Sequence, residues 1–246
     1  TASNIVANVG GLNESVNITA TDSCTFAQGK VIEDATNSQD VTYNISDTAT
    51  NLAAGIGTDS VAITSAGTVT ASTSATAAEA NTIAGLSKAV VYNISDTASA
   101  IAGANAIARN KAVNIVATTD ATVAYAGIID AATNSGSNTY NIKDSAANLA
   151  GSTNTLLSKA GTVTVDGTST IAYANTIADY ATAVTYNISD QASNIPGSVS
   201  GGLNEAVNIV ITNDVTFAKA KVIEDATNGQ DITYNINDSA AAIAAG

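Results

Sequence analysis

The stretch Val41-Thr42-Tyr43-Asn44-Ile45-Ser46-Asp47, followed by Thr48-Ala49-Thr50-Asn51-Leu52-Ala53-Ala54-Gly55, decides how this chain is read. Its first seven residues alternate. Val41, Tyr43 and Ile45 share one face and Thr42, Asn44 and Ser46 the other, the period of two of a half-buried strand. Asp47, followed by the apolar pair Ala49 and Leu52, reads as an N-cap and one or two turns of helix. A carboxylate there suits the positive end of the helix dipole. Gly55 is expected to end the helix.

The motif returns four times. Tyr92, Tyr140, Tyr186 and Tyr234 follow Tyr43 at nearly even intervals, and Asp96, Asp144, Asp190 and Asp238 repeat Asp47. Gly103, Gly151 and Gly197 repeat Gly55 as helix ends. A fixed period of this size, about 48 residues, means stacked supersecondary units. Between the tyrosine strands lie other β-type runs, beginning at Val16, Gly67, Val113, Gly161 and Val207. Strand markers therefore fall at 16, 41, 69, 90, 113, 138, 163, 184, 207 and 232. The true unit is half the tyrosine period, about 24 residues, in two alternating flavours. The second flavour carries a longer helical piece, such as 26–36 or 171–179.

One strand, one short helix and two turns per unit predict a β/α solenoid of about ten right-handed coils. The parallel strands are expected to form one long sheet, about 48 Å from end to end at the usual strand spacing. The expectation is a single continuous solenoid over 1–246. A longer repeat lies above it: residues 11–55 match 202–246 at an offset of 191, with 30 of 45 positions identical. Thr1-Ala-Ser-Asn-Ile5 likewise matches Gln191-Ala-Ser-Asn-Ile195. Neither end carries a polar capping repeat, so flanking repeats of the same chain, or copies of the chain itself, are expected to meet the uncapped ends.

Composition narrows the function classes. The interior is built mostly of Ala, Val and Ile, with 4% aromatic residues and neither Met nor Trp. A net charge of −13 argues against nucleic acid or anionic lipid as a partner. No apolar run approaches the roughly 18 residues of a spanning helix. Cys24, the one cysteine, aligns with Val215 and reads as a small buried residue. With no His and a single arginine, Arg109, the chain offers no catalytic constellation, so no enzyme is expected. Glu33-Asp34 and its copy Glu224-Asp225 read as solvated acid pairs.

Three rows of side chains remain. The tyrosines read as an inward ladder of core residues. Asn44, Asn93, Asn141, Asn187 and Asn235 lie on the opposite strand face and read as a hydrogen-bonded amide ladder. The aspartates pose the sharper question. Asp47, Asp96, Asp144, Asp190 and Asp238 close the tyrosine strands, and Asp22, Asp120 and Asp214 close three of the others. Carboxylates aligned on adjacent coils would approach to about 5 Å and need compensation. Helix capping supplies it. Bridging Ca2+ is the alternative, with these eight aspartates as its candidate ligands, although the Gly-Gly-x-Gly-x-Asp nonapeptide of calcium β-rolls is absent. No other cofactor is suggested.

The Tyr-x-Ile-x-Asp-[Ser/Thr]-Ala-x-x-[Ile/Leu] repeat resembles the Ala/Thr/Asn-rich repeats of very large bacterial surface and secreted proteins, among them S-layer-like proteins, cyanobacterial cell-surface proteins and giant adhesins. The nearest forms here are Asp47-Thr-Ala-Thr-Asn-Leu52 and Asp144-Ser-Ala-Ala-Asn-Leu149. The resemblance spans nearly the whole chain and is specific to a repeat type. It implies an extracellular or cell-surface location and a non-catalytic structural role as a rod, surface layer or filament. The competing expectation is a glycan-binding or glycan-cleaving solenoid that uses tyrosine rows and acids along a groove.

Overall fold

A computed structural model describes residues 1–15, 17–35, 40–58, 60–180, 183–226 and 231–245. The fold is α/β, with alternating strands and helices and all-parallel sheets. Its strands are β1 Ile18–Cys24, β2 Val41–Asp47, β3 Val69–Ala71, β4 Val90–Val91, β5 Ile94–Asp96, β6 Ile115–Ala117, β7 Asn138–Thr139, β8 Ile142–Asp144, β9 Val163–Ser169, β10 Val184–Asp190, β11 Ile209–Ile211 and β12 Ile232–Thr233. Seven of the sequence markers begin strands, Val113 and Val207 lie two residues ahead of β6 and β11, and the marker Val16 lies outside the described residues. The chain divides into two compact units, Thr1–Thr119 with Ile128–Thr139, and Asp120–Gly127 with Tyr140–Gly246.

The strands form three sheets, not one long one: β1-β2-β3-β4 and β5-β6-β7 in the first unit, and β8 to β12 in the second. The backward ladder is interrupted at the tyrosine, and forward pairing begins beyond it. Val41, Thr42, Asn44 and Ile45 pair back to Ile18, Thr19, Ser23 and Cys24, whereas Ile45, Ser46 and Asp47 pair forward to Val69, Thr70 and Ala71. At the crossover three residues, Ala20 to Asp22, lie opposite the single residue Tyr43. The same bulge at Val165–Gly167 faces Tyr186. Where the strand breaks at this step, as at Tyr92-Asn93, it splits into β4 and β5 and the sheet ends.

Burial follows the predicted alternation. Tyr43, Ile45 and Asp47 are buried, while Thr42 and Asn44 are exposed. Tyr43, Tyr92, Tyr140 and Tyr186 are each 1% exposed, so the inward tyrosine row is core. A buried hydroxyl needs a partner. Tyr43 finds the Ala62 carbonyl downstream (2.7 Å), Tyr92 that of Ala108 (2.7 Å) and Tyr186 that of Gly202 (3.0 Å). Opposite each tyrosine-strand isoleucine sits one small residue. Cys24, Ala75, Ala121, Ser169 and Val215 face Ile45, Ile94, Ile142, Ile188 and Ile236. Cys24 is fully buried, as expected, and burial, with Asp22 nearby, pushes its thiol pKa up.

Two helix readings change. The helix Ala49–Thr58 runs straight through Gly55. That glycine is there for packing, since a Cβ on it would lie 2.7 Å from the Phe26 ring. Gly103 and Gly151 do end their helices, and the turn before Gly197 is a short 3-10 helix, Ala192–Asn194.

Candidate functional site

The feature that recurs through both units is a set of side chains spent on the backbone of neighbouring repeats. The five strand-end aspartates act alike. Asp47 Oδ2 accepts the Phe26 N–H at 2.8 Å, and Asp96 Oδ2 accepts that of Ala77 at 3.0 Å. Asp144, Asp190 and Asp238 accept those of Val123, Ile171 and Phe217 at 2.9, 2.9 and 3.0 Å. Each donor is the first residue of an eight-residue helix in the preceding repeat. The second oxygen, Oδ1, accepts the N–H of the residue that follows: Thr48, Thr97, Ser145, Gln191 or Ser239, at 2.7 to 2.8 Å. Asn51, Asn148 and Asn194 add a side-chain N–H to Asp47, Asp144 and Asp190.

The aspartate is therefore not the N-cap. Thr48, Thr97, Ser145 and Ser239 hold that place, each accepting an N–H three residues on. The carboxylate stands one residue earlier, where its two oxygens satisfy free amides of two different helices. Such amides are orphaned by helix geometry, and anionic acceptors suit them best.

A second set does the same from the bulge. Asp22 Oδ1 accepts the Ala2 N–H (2.5 Å), Thr73 Oγ1 that of Ala49 (3.1 Å), Thr119 Oγ1 that of Ala98 (3.1 Å) and Asn213 Oδ1 that of Ala192 (2.7 Å). The corresponding residue in the remaining repeat is Gly167, whose φ of +86° suits glycine. Sequence reasoning misses Thr73, Thr119 and Asn213. Aligning the tyrosine units finds them, as one bulge position held by an oxygen-bearing side chain in four of five copies. Asp22 lies inside β1 rather than after a strand, and Asp120 and Asp214 sit exposed beyond β6 and β11, one residue before the bridging Ala121 and Val215.

Register also removes the expected clash of carboxylates. Asp47, Asp96, Asp144 and Asp190 face Ala71, Ala117, Val165 and Ile211 on the next strand. Among the described residues no three His, Cys, Asp or Glu side chains group as a metal site. The eight Ca2+ candidates are thus spread over successive repeats, and six have backbone N–H donors on their oxygens.

The asparagines do not stack as one amide ladder, because they stand on alternate strands. Asn44 Oδ1 accepts the N–H of Thr68 (2.8 Å), Asn93 that of Asn114 (3.0 Å) and Asn141 that of Thr162 (3.0 Å). Asn187 accepts from the Asn208 side chain at 2.9 Å. Gly67 and Gly161 are required by this approach, since a Cβ on either would lie 2.8 Å from the asparagine oxygen. The acid pairs are bonded rather than merely solvated. Glu33 takes the Tyr43 hydroxyl at 3.1 Å and that of Ser65 at 3.0 Å, and Glu224 takes that of Tyr234 at 2.5 Å. Asp34 and Asp225 pair with Lys30 and Lys221. Two lysines answer helix C-termini, Lys88 donating to the Ala66 carbonyl and Lys111 to that of Ala84, while Lys219 donates to Ala192, the first residue of the 3-10 helix.

Chemically, this arrangement locks backbone ends from one repeat to the next. Shallow depressions open beside it, one lined by Phe26, Asp47, Asn51 and Gly55 and another by Val123, Asp144, Asn148 and Gly151. No helix among the described residues is long and apolar enough to cross a membrane. Comparison with family models, curated proteins and solved structures yields no match for the chain.

Proposed function

We propose that the chain is a β/α solenoid of about ten right-handed coils, continuous over 1–246, that serves as a non-catalytic structural repeat protein outside the cell or on its surface. It would belong to a rod, a surface layer or a filament, and its partners would be flanking repeats or further copies joined through strand edges. The observation that carries this reading is the set of caps between repeats. Nine helix-leading N–H groups each meet a side-chain oxygen 19 to 24 residues further along the chain. Residues at the repeating polar positions are used to hold the next repeat, as an array that must resist tension requires.

The test is twofold. Antibodies to the chain should label intact cells of its source as strongly as permeabilised ones. An oligosaccharide panel should give no saturable binding. Labelling confined to permeabilised cells would overturn the surface assignment, and a saturable sugar would favour the glycan-binding alternative.

A further inference from the structure

The outward face of the parallel sheets carries almost no charge, although the chain holds 21 acids and a net charge of −13. In β8 to β11 the charged residues are Lys143, Asp144, Asp166 and Asp190. Asp144 and Asp190 are spent on helix amides, which leaves Lys143 and Asp166 on the open face. Their surroundings there are neutral: Thr164, Thr185, Ser189 and, 40% exposed, Val210. The first unit, taken by itself, follows the same rule. Its strands β2 to β7 hold no charged residue except Asp47 and Asp96, both spent on helix amides.

Lys143 and Asp166 are exceptions to the repeat as well as to the face. Positions equivalent to Lys143 hold Ser46, Ser95, Ser189 and Asn237, and those equivalent to Asp166 hold Thr21, Ser72, Thr118 and Thr212. Two charges of opposite sign therefore arise together, in one copy and on adjacent strands, with Lys143 Nζ 3.2 Å from Asp166 Oδ1. Their side chains are 46% and 68% exposed, and a pair so exposed does little for the stability of a single chain. Nor is it needed for register, since backbone pairing already sets Lys143 opposite Thr164.

We infer that this face of the second unit packs on the same face of a second copy of the chain, with each Lys143 beside the other copy's Asp166. Two sheets laid face to face about 10 Å apart, related by a two-fold axis running across the strands, meet this condition. The single ion pair then becomes a cluster of four charges of alternating sign, out of reach of most solvent. Charge also selects the partner. Copies that each carry −13 repel one another, and that repulsion is weakest where charge is nearly absent. The pair is self-complementary, so one face serves both copies, and its opposite signs fix how they align. This rests on the structural reading proposed above and adds to it a lateral contact, which a surface layer needs besides contacts through strand edges.

The test is sedimentation equilibrium of the full chain beside its variants Lys143→Glu, Asp166→Lys and Thr185→Glu. The parent should associate, and each variant should weaken association by about tenfold or more while leaving circular dichroism unchanged. An equal mixture of Lys143→Glu and Asp166→Lys should associate again. In that mixture every contact between chains joins opposite charges, whereas the contact within each chain stays repulsive, so a merely intrachain ion pair predicts no recovery. Ala172→Glu, an added charge on the exposed side of the helix Ile171–Ala178, is the control and should associate like the parent. A monomeric parent, association indifferent to Lys143→Glu or Thr185→Glu, an equal loss from Ala172→Glu, or a mixture that does not recover would overturn the inference. So would a monomer that co-sediments with insoluble cellulose, which would give the face to a glycan surface. Labelling of intact cells with a monomeric chain would remove this interface alone; an associating chain labelled only in permeabilised cells would remove the proposed function alone.

Discussion

Asp190→Ala isolates the capping carboxylate. Asp190 is 7% exposed and takes three donors: the Ile171 N–H at 2.9 Å, the Gln191 N–H at 2.8 Å and the Asn194 side chain at 2.7 Å. Gln191 and Asn194 are exposed and can turn to water, so their loss costs little. The Ile171 N–H belongs to a residue 2% exposed and is left without an acceptor. An orphaned buried donor costs about 1–3 kcal/mol, and that is the expected loss. Urea unfolding followed by far-UV circular dichroism reads it directly. Asp120→Ala is the control, an exposed aspartate beyond β6 whose removal should stay within about 0.5 kcal/mol of the parent. Asp190→Asn keeps one acceptor but turns an amide N–H toward a donor, so it should fall between the two. A cost for Asp190→Ala no larger than that of Asp120→Ala would refute the idea that these carboxylates hold the repeats together.

Other outcomes follow from the same geometry. Gly136→Ala drives a Cβ to 2.5 Å from the Val113 carbonyl and should destabilise by more than about 2 kcal/mol, whereas Gly127→Ala, in open space on a helix, should stabilise by about 0.5–1 kcal/mol; thermal melts separate the two. Tyr186→Phe should cost about 1–3 kcal/mol, because it leaves the Gly202 carbonyl without its donor. Burial pushes the Tyr92 phenol up to about 12, and burial, with the Glu205 charge, pushes that of Tyr186 up as well. A folded-state pKa above the unfolded value of about 10 gives stability that is complete below pH 10 and lost as pH rises through 12. Phenolate absorbance and loss of circular dichroism should therefore rise together in that window; phenolate formation by Tyr92 and Tyr186 in a chain that stays folded would contradict it. Millimolar Ca2+ or a chelator should leave the unfolding midpoint unchanged, since the strand-end carboxylates face N–H donors; a raised midpoint with Ca2+ would return the aspartates to metal binding.

Much of the fold is legible in the sequence because a strand's side-chain alternation and a helix's Ala-x-x-Ile spacing are local properties. Val41–Asp47 displays its buried face directly, and five copies of one motif mark where strands and short helices recur. The candidate site is legible only as a row of aspartates. Gly55 misleads for an instructive reason: a glycine late in a helix looks like a stop, and only Phe26, far away in sequence, reveals it as a contact. Asp47 misleads similarly. An aspartate before Thr-Ala resembles an N-cap, but the threonine caps the local helix, leaving the carboxylate to reach back to Phe26.

The sequence by itself determined the repeat, its two flavours, the inward tyrosines and the parallel α/β class, because each depends on periodicity along one stretch of chain. Tertiary structure alone decided which oxygen meets which amide, where the ladder changes partners and where the sheets end. Those outcomes depend on register between segments 19 to 24 residues apart. Register is set by the bulge opposite each tyrosine, where three residues face one. No local propensity encodes that count; it emerges when the tyrosine ring is buried and the backbone on either side must still pair.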